Sequence, residues 1–157
     1  MQAITPFLWF DNQAEEAAKF YTSIFKHSKL GDITRYGEAG PRPQGSVMTV
    51  AFQLKGQEFI ALNGGPEYAF SPAISFFVSC ETQAEVDELW EKLSAGGEEQ
   101  PCGWLTDKYG VTWQIIPSGL VEMLNSQDAE KSRRAMHAML QMKKRDLAKI
   151  KQAFEQG

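Results

Sequence analysis

The chain has 157 residues, 43% of them apolar, and a formal charge of -4. That supplies a core for one domain or two small fused modules, and the acidic balance excludes a basic phosphate-binding surface, so no nucleic-acid partner is expected. No apolar run approaches the length that spans a bilayer, and Met1-Gln-Ala-Ile-Thr-Pro6 lacks a basic start followed by an apolar stretch. No membrane partner is expected, and with only Cys80 and Cys102 the reading is a cytoplasmic protein with free thiols.

Ile4 to Phe10 reads as a strand. Ala14 to Phe25 reads as a helix with a buried stripe of Ala17, Phe20, Tyr21, Ile24 and Phe25, opened by Asp11 or Asn12 as cap, with Glu15 and Glu16 at its positive end. Lys29 to Tyr36 is a second strand. Gly37 to Gly45, with Pro41 and Pro43, is a loop, and Ser46 to Leu54 and Gln57 to Leu62 form a hairpin about Lys55-Gly56. Turn formers from Asn63 to Pro72 then separate this half from the next.

The order repeats. Ala73 to Ser79 is a strand, and Thr82 to Leu93 a helix with a Thr82…Glu85 capping box and a stripe of Val86, Leu89, Trp90 and Leu93, ended by Gly96-Gly97. Glu98 to Cys102 and Gly103 to Thr106 are short strands, and Val111 to Ile116 closes the set. Asp107 to Gly110 is a turn in which Asp107 bonds the backbone, a reading that outweighs an Asp107–Lys108 acid/base pair. Both halves read β-α-β-β-β, with modules at about 1–65 and 72–118 inside a domain at 1–127. Two such modules can set their sheets around a shared cleft that receives residues from the first and last strands of each.

Residues 128–157 form a helical extension. Asp128 caps a helix from Ala129, and Met136, Met139, Leu140, Leu147, Ile150 and Phe154 make its apolar stripe. Packing in cis and packing across a dimer both fit this pattern.

The paired order, with Ala14-Glu-Glu-Ala-Ala-Lys-Phe-Tyr21, Ala61-Leu-Asn-Gly-Gly-Pro66 and Trp104-Leu-Thr-Asp-Lys-Tyr-Gly-Val-Thr-Trp-Gln114, resembles the vicinal oxygen chelate superfamily. That superfamily holds glyoxalase I, bleomycin-resistance proteins and extradiol dioxygenases. The chain is most similar to its PhnB-like branch, whose members often carry the label 3-demethylubiquinone-9 3-methyltransferase. The resemblance implies an α+β fold of two βαβββ modules forming a cupped mixed sheet, glyoxalase/bleomycin-resistance-like, usually as a homodimer.

The resemblance also implies where a metal would sit: on His, Glu or Gln side chains from the first and last strand of each module. This chain has Gln114 where a Glu is usual, Ala73 at or near the usual His, no His, Glu or Asp from Ile4 to Phe10, and Asn63 at the end of the first module. Neutral amides stabilise a divalent cation poorly, so no metal site and no cofactor are expected. His27 and His137 read as solvated or structural. The methyltransferase label would call for a glycine-rich strand-to-helix turn, and neither Gly64-Gly65 nor Gly96-Gly97 forms one.

Gln114 is odd in an apolar strand, since burying an amide without partners costs about 1–3 kcal/mol. If it faces the cleft, so do Thr112 and Ile116, and Ala73, Ser75, Phe77 and Ser79 face it from the neighbouring strand. Asn63 would share its face with Ala61 and Phe59; the first strand leaves Phe7/Trp9 and Leu8/Phe10 both open as the inward pair. The candidate ligand cleft is therefore Asn63, Ala73, Ser75, Phe77, Thr112 and Gln114. It suits a small, partly aromatic molecule held without a metal. No residue stands out as catalytic. The alternatives are an enzyme, either metal-dependent with unusual ligands or acting without metal, and a dimeric scaffold whose C-terminal helix recruits a partner.

Overall fold

The computed structural model describes residues 2–156. The boundary between its two compact units falls between Phe70 and Ser71. The first unit runs β1 (Phe7–Phe10), α1 (Ala14–Ile24), β2 (Ser28–Arg35), β3 (Val47–Leu54) and β4 (Gln57–Asn63). Its sheet order is β1-β4-β3-β2, with β1 parallel to β4 and the other pairs antiparallel.

Helix α1 buries Ala14, Ala17, Ala18, Tyr21 and Ile24, one stripe at helical spacing. Three alanines on that stripe let the helix lie close to β3 and β4. Tyr21 stacks on Phe52 at 6.0 Å between ring centroids, and Phe52 on Phe59 at 5.2 Å. Leu8 and Phe10 lie on the helix-covered face of β1, buried with Val50, Phe52, Phe59 and Ala61, while Phe7 and Trp9 lie on the opposite face, Phe7 exposed. The hairpin turn has positive φ at both Lys55 and Gly56, 51° and 85°, the geometry of a two-residue type I′ turn.

The second unit runs β5 (Ser75–Cys80), α2 (Gln83–Ser94), β6 (Glu98–Glu99), a 3-10 turn (Pro101–Gly103), β7 (Trp104–Thr106) and β8 (Thr112–Pro117). Its sheet order, β5-β8-β7-β6 with β5 parallel to β8, repeats the topology of the first unit. Thr82 caps α2, its Oγ1 accepting from the Glu85 N–H at 3.1 Å. The Glu85 carboxylate reaches back to the Glu81 N–H at 3.2 Å, one residue earlier than a capping box requires. After α2 the chain passes so close to β7 that a Cβ on Gly97 would lie 2.1 Å from the Thr106 carbonyl oxygen.

The extension differs from the single helix read in the sequence. From residue 128 onward it is α4 (Ala129–Leu140) and α5 (Leu147–Glu155), and a further helix, α3 (Ser118–Leu124), precedes it inside the stretch read as part of the 1–127 domain. Asp128 caps α4 as expected, and Asp146 caps α5, their carboxylates accepting from Lys131 and Lys149 N–H groups at 3.2 and 3.1 Å. Because the helix breaks between 141 and 146, one stripe need not serve both segments. Ala135, Met139 and Ile150 pack with Ile116 and Leu120. Met136 and Leu140, each one position further round α4, are exposed instead of buried.

The extension packs in cis on the second unit. Cys102 and Gly103 N–H groups donate to the Met142 and Lys143 carbonyls at 3.0 and 2.7 Å. Gln83 donates to the Arg145 carbonyl and accepts from the Leu147 N–H, both at 2.8 Å. Among the described residues no helix is long and apolar enough to cross a membrane.

Candidate functional site

Strand β8 leaves a tight turn built around Asp107. The Asp107 carboxylate accepts from the Tyr109 and Val111 N–H groups at 2.8 and 3.1 Å, and from the Trp113 indole N–H at 2.9 Å. Asp107 is buried and its charge is met by three donors, so it shapes the turn as the sequence reading expects. Trp113 packs on Phe76, ring centroids 5.3 Å apart, on the face that α2 covers.

Alternation from Trp113 puts Thr112, Gln114 and Ile116 on the opposite face. The parallel register pairs Ser75 with Thr112, Phe77 with Gln114 and Ser79 with Ile116, so these side chains share that face. Gln114 donates from its amide nitrogen to Ser75 Oγ at 2.9 Å. Phe77 is 56% exposed beside it. Thr112 is 1% exposed, and its hydroxyl has no hydrogen-bond partner among the described residues. Ile116 closes the end of the face by packing into the helical extension.

Two candidates stand elsewhere. Ala73 precedes β5 in an exposed turn, where its N–H meets Ser71 Oγ at 3.3 Å. Asn63 lies on the helix-facing side of the first sheet with Ala61 and Phe59, all buried under α1. Its carbonyl oxygen Oδ1 accepts from the Ala14 N–H at 2.8 Å, and Nδ2 donates to the Val47 carbonyl at 3.2 Å. Asn63 thus supplies the cap that Asp11 or Asn12 was expected to provide; the residue at that position, Gln13, makes no side-chain cap. Its main-chain carbonyl accepts from the Tyr36 hydroxyl.

Sequence reasoning missed Trp104 and Thr106. Their register opposite Gln114 and Thr112 brings them to the same open face, and Gln100 donates to Thr106 Oγ1 at 3.0 Å. The alternation of Trp104-Leu105-Thr106, with Leu105 buried, was the available signal. It also missed a cavity of about 390 Å³ in the first unit. Lys29, Asp32, Gln53 and Glu58 line it over a floor that includes Ala51 and Ile60. An irregularity in the β2–β3 register between Leu30 and Ile33 opens that groove.

The donor set bears on the metal that the resemblance implies. Among the described residues no three His, Cys, Asp or Glu side chains gather where an ion could be held. Gln114 is tied to Ser75, Asn63 to Ala14 and Val47, and β1 offers only Phe, Leu and Trp. These residues do not fit a divalent site of the usual kind. His27 and His137 are both exposed, one between α1 and β2 and the other on α4. Cys80 and Cys102 are free thiols.

The paired βαβββ modules, each with its first strand parallel to its last, give the α+β fold that the resemblance to the vicinal oxygen chelate superfamily implies. The family model described as 3-demethylubiquinone-9 3-methyltransferase matches residues 2–116, and the chain belongs to that family, the PhnB-like branch of the fold. A PhnB protein from Bacillus cereus is 41% identical, with a TM-score of 0.68 over 74% of this chain and 99% of that one. Protein PA1353 from Pseudomonas aeruginosa is 21% identical, with a TM-score of 0.62 over 74% and 98% of the two chains. A fosfomycin resistance protein from Listeria monocytogenes, 14% identical with a TM-score of 0.51 over 74% and 93%, shares the fold. No curated protein matches.

Proposed function

We propose that the protein binds a small, partly aromatic molecule on the open face of its second module, without a metal, and acts by holding that molecule. The observation that supports this most is the amide of Gln114. Fixed by Ser75, it presents its carbonyl oxygen as an acceptor beside the exposed ring of Phe77. Apolar surface flanked by a few oriented polar groups is the usual make-up of a small-ligand site. A homodimer in the cytoplasm is part of the same reading, in keeping with two free thiols. Sedimentation equilibrium is expected to give twice the chain mass; a monomer across micromolar concentrations would remove the dimer.

Thermal unfolding with 4-hydroxybenzamide or catechol, in EDTA, tests the ligand reading. A rise in Tm that saturates with concentration, and that added manganese or zinc leaves unchanged, is expected. Stabilisation only by the metal would favour a metal-dependent enzyme with unusual ligands.

The family description favours a second reading, transfer of a methyl group to a demethylubiquinone. Against it, Gly64-Gly65 follows β4 and leads into Pro66, and Gly96-Gly97 follows α2, so neither pair forms the strand-to-helix turn that cradles such a cofactor. Calorimetry with S-adenosylmethionine separates the two; micromolar binding would establish the second.

A further inference from the structure

Arg145 is the least ordinary charged residue in the molecule. It lies in the segment between α4 and α5, 4% exposed. Its Nε and one terminal nitrogen have no hydrogen-bond partner among the described residues. A guanidinium stays protonated and is costly to bury without a counter-charge. Burial pushes the Arg145 pKa down to about 10.

The geometry around Cys102 explains why Arg145 lies at the 3-10 turn. Cys102 sits at φ 64°, a backbone conformation uncommon for a residue with a side chain. The Cys102 and Gly103 N–H groups are fastened to the Met142 and Lys143 carbonyls, which brings the 142–145 segment against the 3-10 turn. Arg145 Nε lies so close that a Cβ on Gly103 would stand 2.7 Å from it. Cys102 is partly exposed, whereas Cys80, the other thiol, is fully buried. The arrangement thus puts a partly exposed cysteine in the turn against which a buried cation with donors to offer is packed.

We propose that Cys102 is a site of oxidative modification, at which Arg145 holds the anionic product. The reactant is a hydroperoxide. The sulfur attacks one peroxide oxygen; an S–O bond forms and the O–O bond breaks. Sulfur is oxidised by two electrons, and the departing alkoxide, or hydroxide from hydrogen peroxide, takes the thiol proton as alcohol or water. A second equivalent converts the sulfenic acid to sulfinic acid in the same way, and the sulfinate anion supplies the counter-charge that Arg145 lacks. Because the same turn fastens the extension, the modification reports directly on the 142–147 segment.

The test is peptide mass mapping after graded hydrogen peroxide, with Cys80 as the internal reference. In the wild-type chain Cys102 is expected to gain two oxygens at least tenfold faster than Cys80. Arg145→Met should slow the Cys102 reaction several-fold, and Arg145→Lys should retain most of the rate. Oxidation of Cys102 at the Cys80 rate, or at an unchanged rate in Arg145→Met, would overturn the proposal. Should Arg145→Met unfold the chain and expose Cys80, Arg145→Gln against Arg145→Lys makes the same comparison at similar side-chain length.

Discussion

Asn63 accepts from the first amide of α1 and donates to Val47, so alanine at this position removes two bonds at once. Asn63→Ala is expected to cost about 2 kcal/mol, the sum of a lost cap and a stranded carbonyl acceptor, read from urea unfolding. Asp107→Ala strands three donors, one of them the Trp113 indole, and should cost about 3 kcal/mol. Asp107→Asn keeps the two backbone bonds on Oδ1 and should cost about 1 kcal/mol. The role of Asp107 was legible because a turn is local: its donors lie two to six residues away. The role of Asn63 was not, since its partner is 49 positions distant. Ile60, Ala61 and Leu62 are apolar on both faces of β4, so alternation alone could not say which way Asn63 turns. Ser75, Phe77, Thr112 and Gln114 could be placed on one face because Trp113 and Ile115 mark the buried side of β8.

At the scale of elements, the two β-α-β-β-β units were readable from periodicity, whereas α3 was not read and the two helices of the extension were not separated. The break between 141 and 146 depends on carbonyls of that segment meeting the turn at Cys102, a non-local pairing. Ile150→Ala opens space in the cluster of Ile116, Leu120, Ala135 and Met139, and should cost about 3 kcal/mol. Hydrogen exchange is expected to show lost protection in α3 to α5, with the first unit unchanged. A second tie is electrostatic. Lys144 pairs with Asp87 on α2 at 3.0 Å. The side-chain bond from Gln83 first, then Lys144, holds the Asp87 carboxyl below its ordinary value of 3.8. The folded-state pKa is the lower one, so the contribution is present above 3.8 and fades as pH falls through the folded value. Wild type should therefore outlast Asp87→Asn at neutral pH by a small margin, both groups being half exposed, and the margin should close in acid.

For the whole molecule, family membership and ligand chemistry are separate questions. The matched family region ends at residue 116, inside β8, so α3 to α5 lie beyond it. Ile116 packs into those helices from the same strand face that carries Gln114 two residues earlier. The extension therefore bounds the proposed ligand face. The proposed function places an aromatic ligand on this face, held by Gln114 in particular and without a metal. The most direct measurement is an amide-resolved NMR titration with 4-hydroxybenzamide in EDTA, on wild type and Gln114→Leu. Saturable shifts at 75–77, 104–106 and 112–114, with affinity about tenfold weaker in Gln114→Leu for one lost hydrogen bond, are expected. Shifts confined to other residues, or equal affinity in the two proteins, would contradict it.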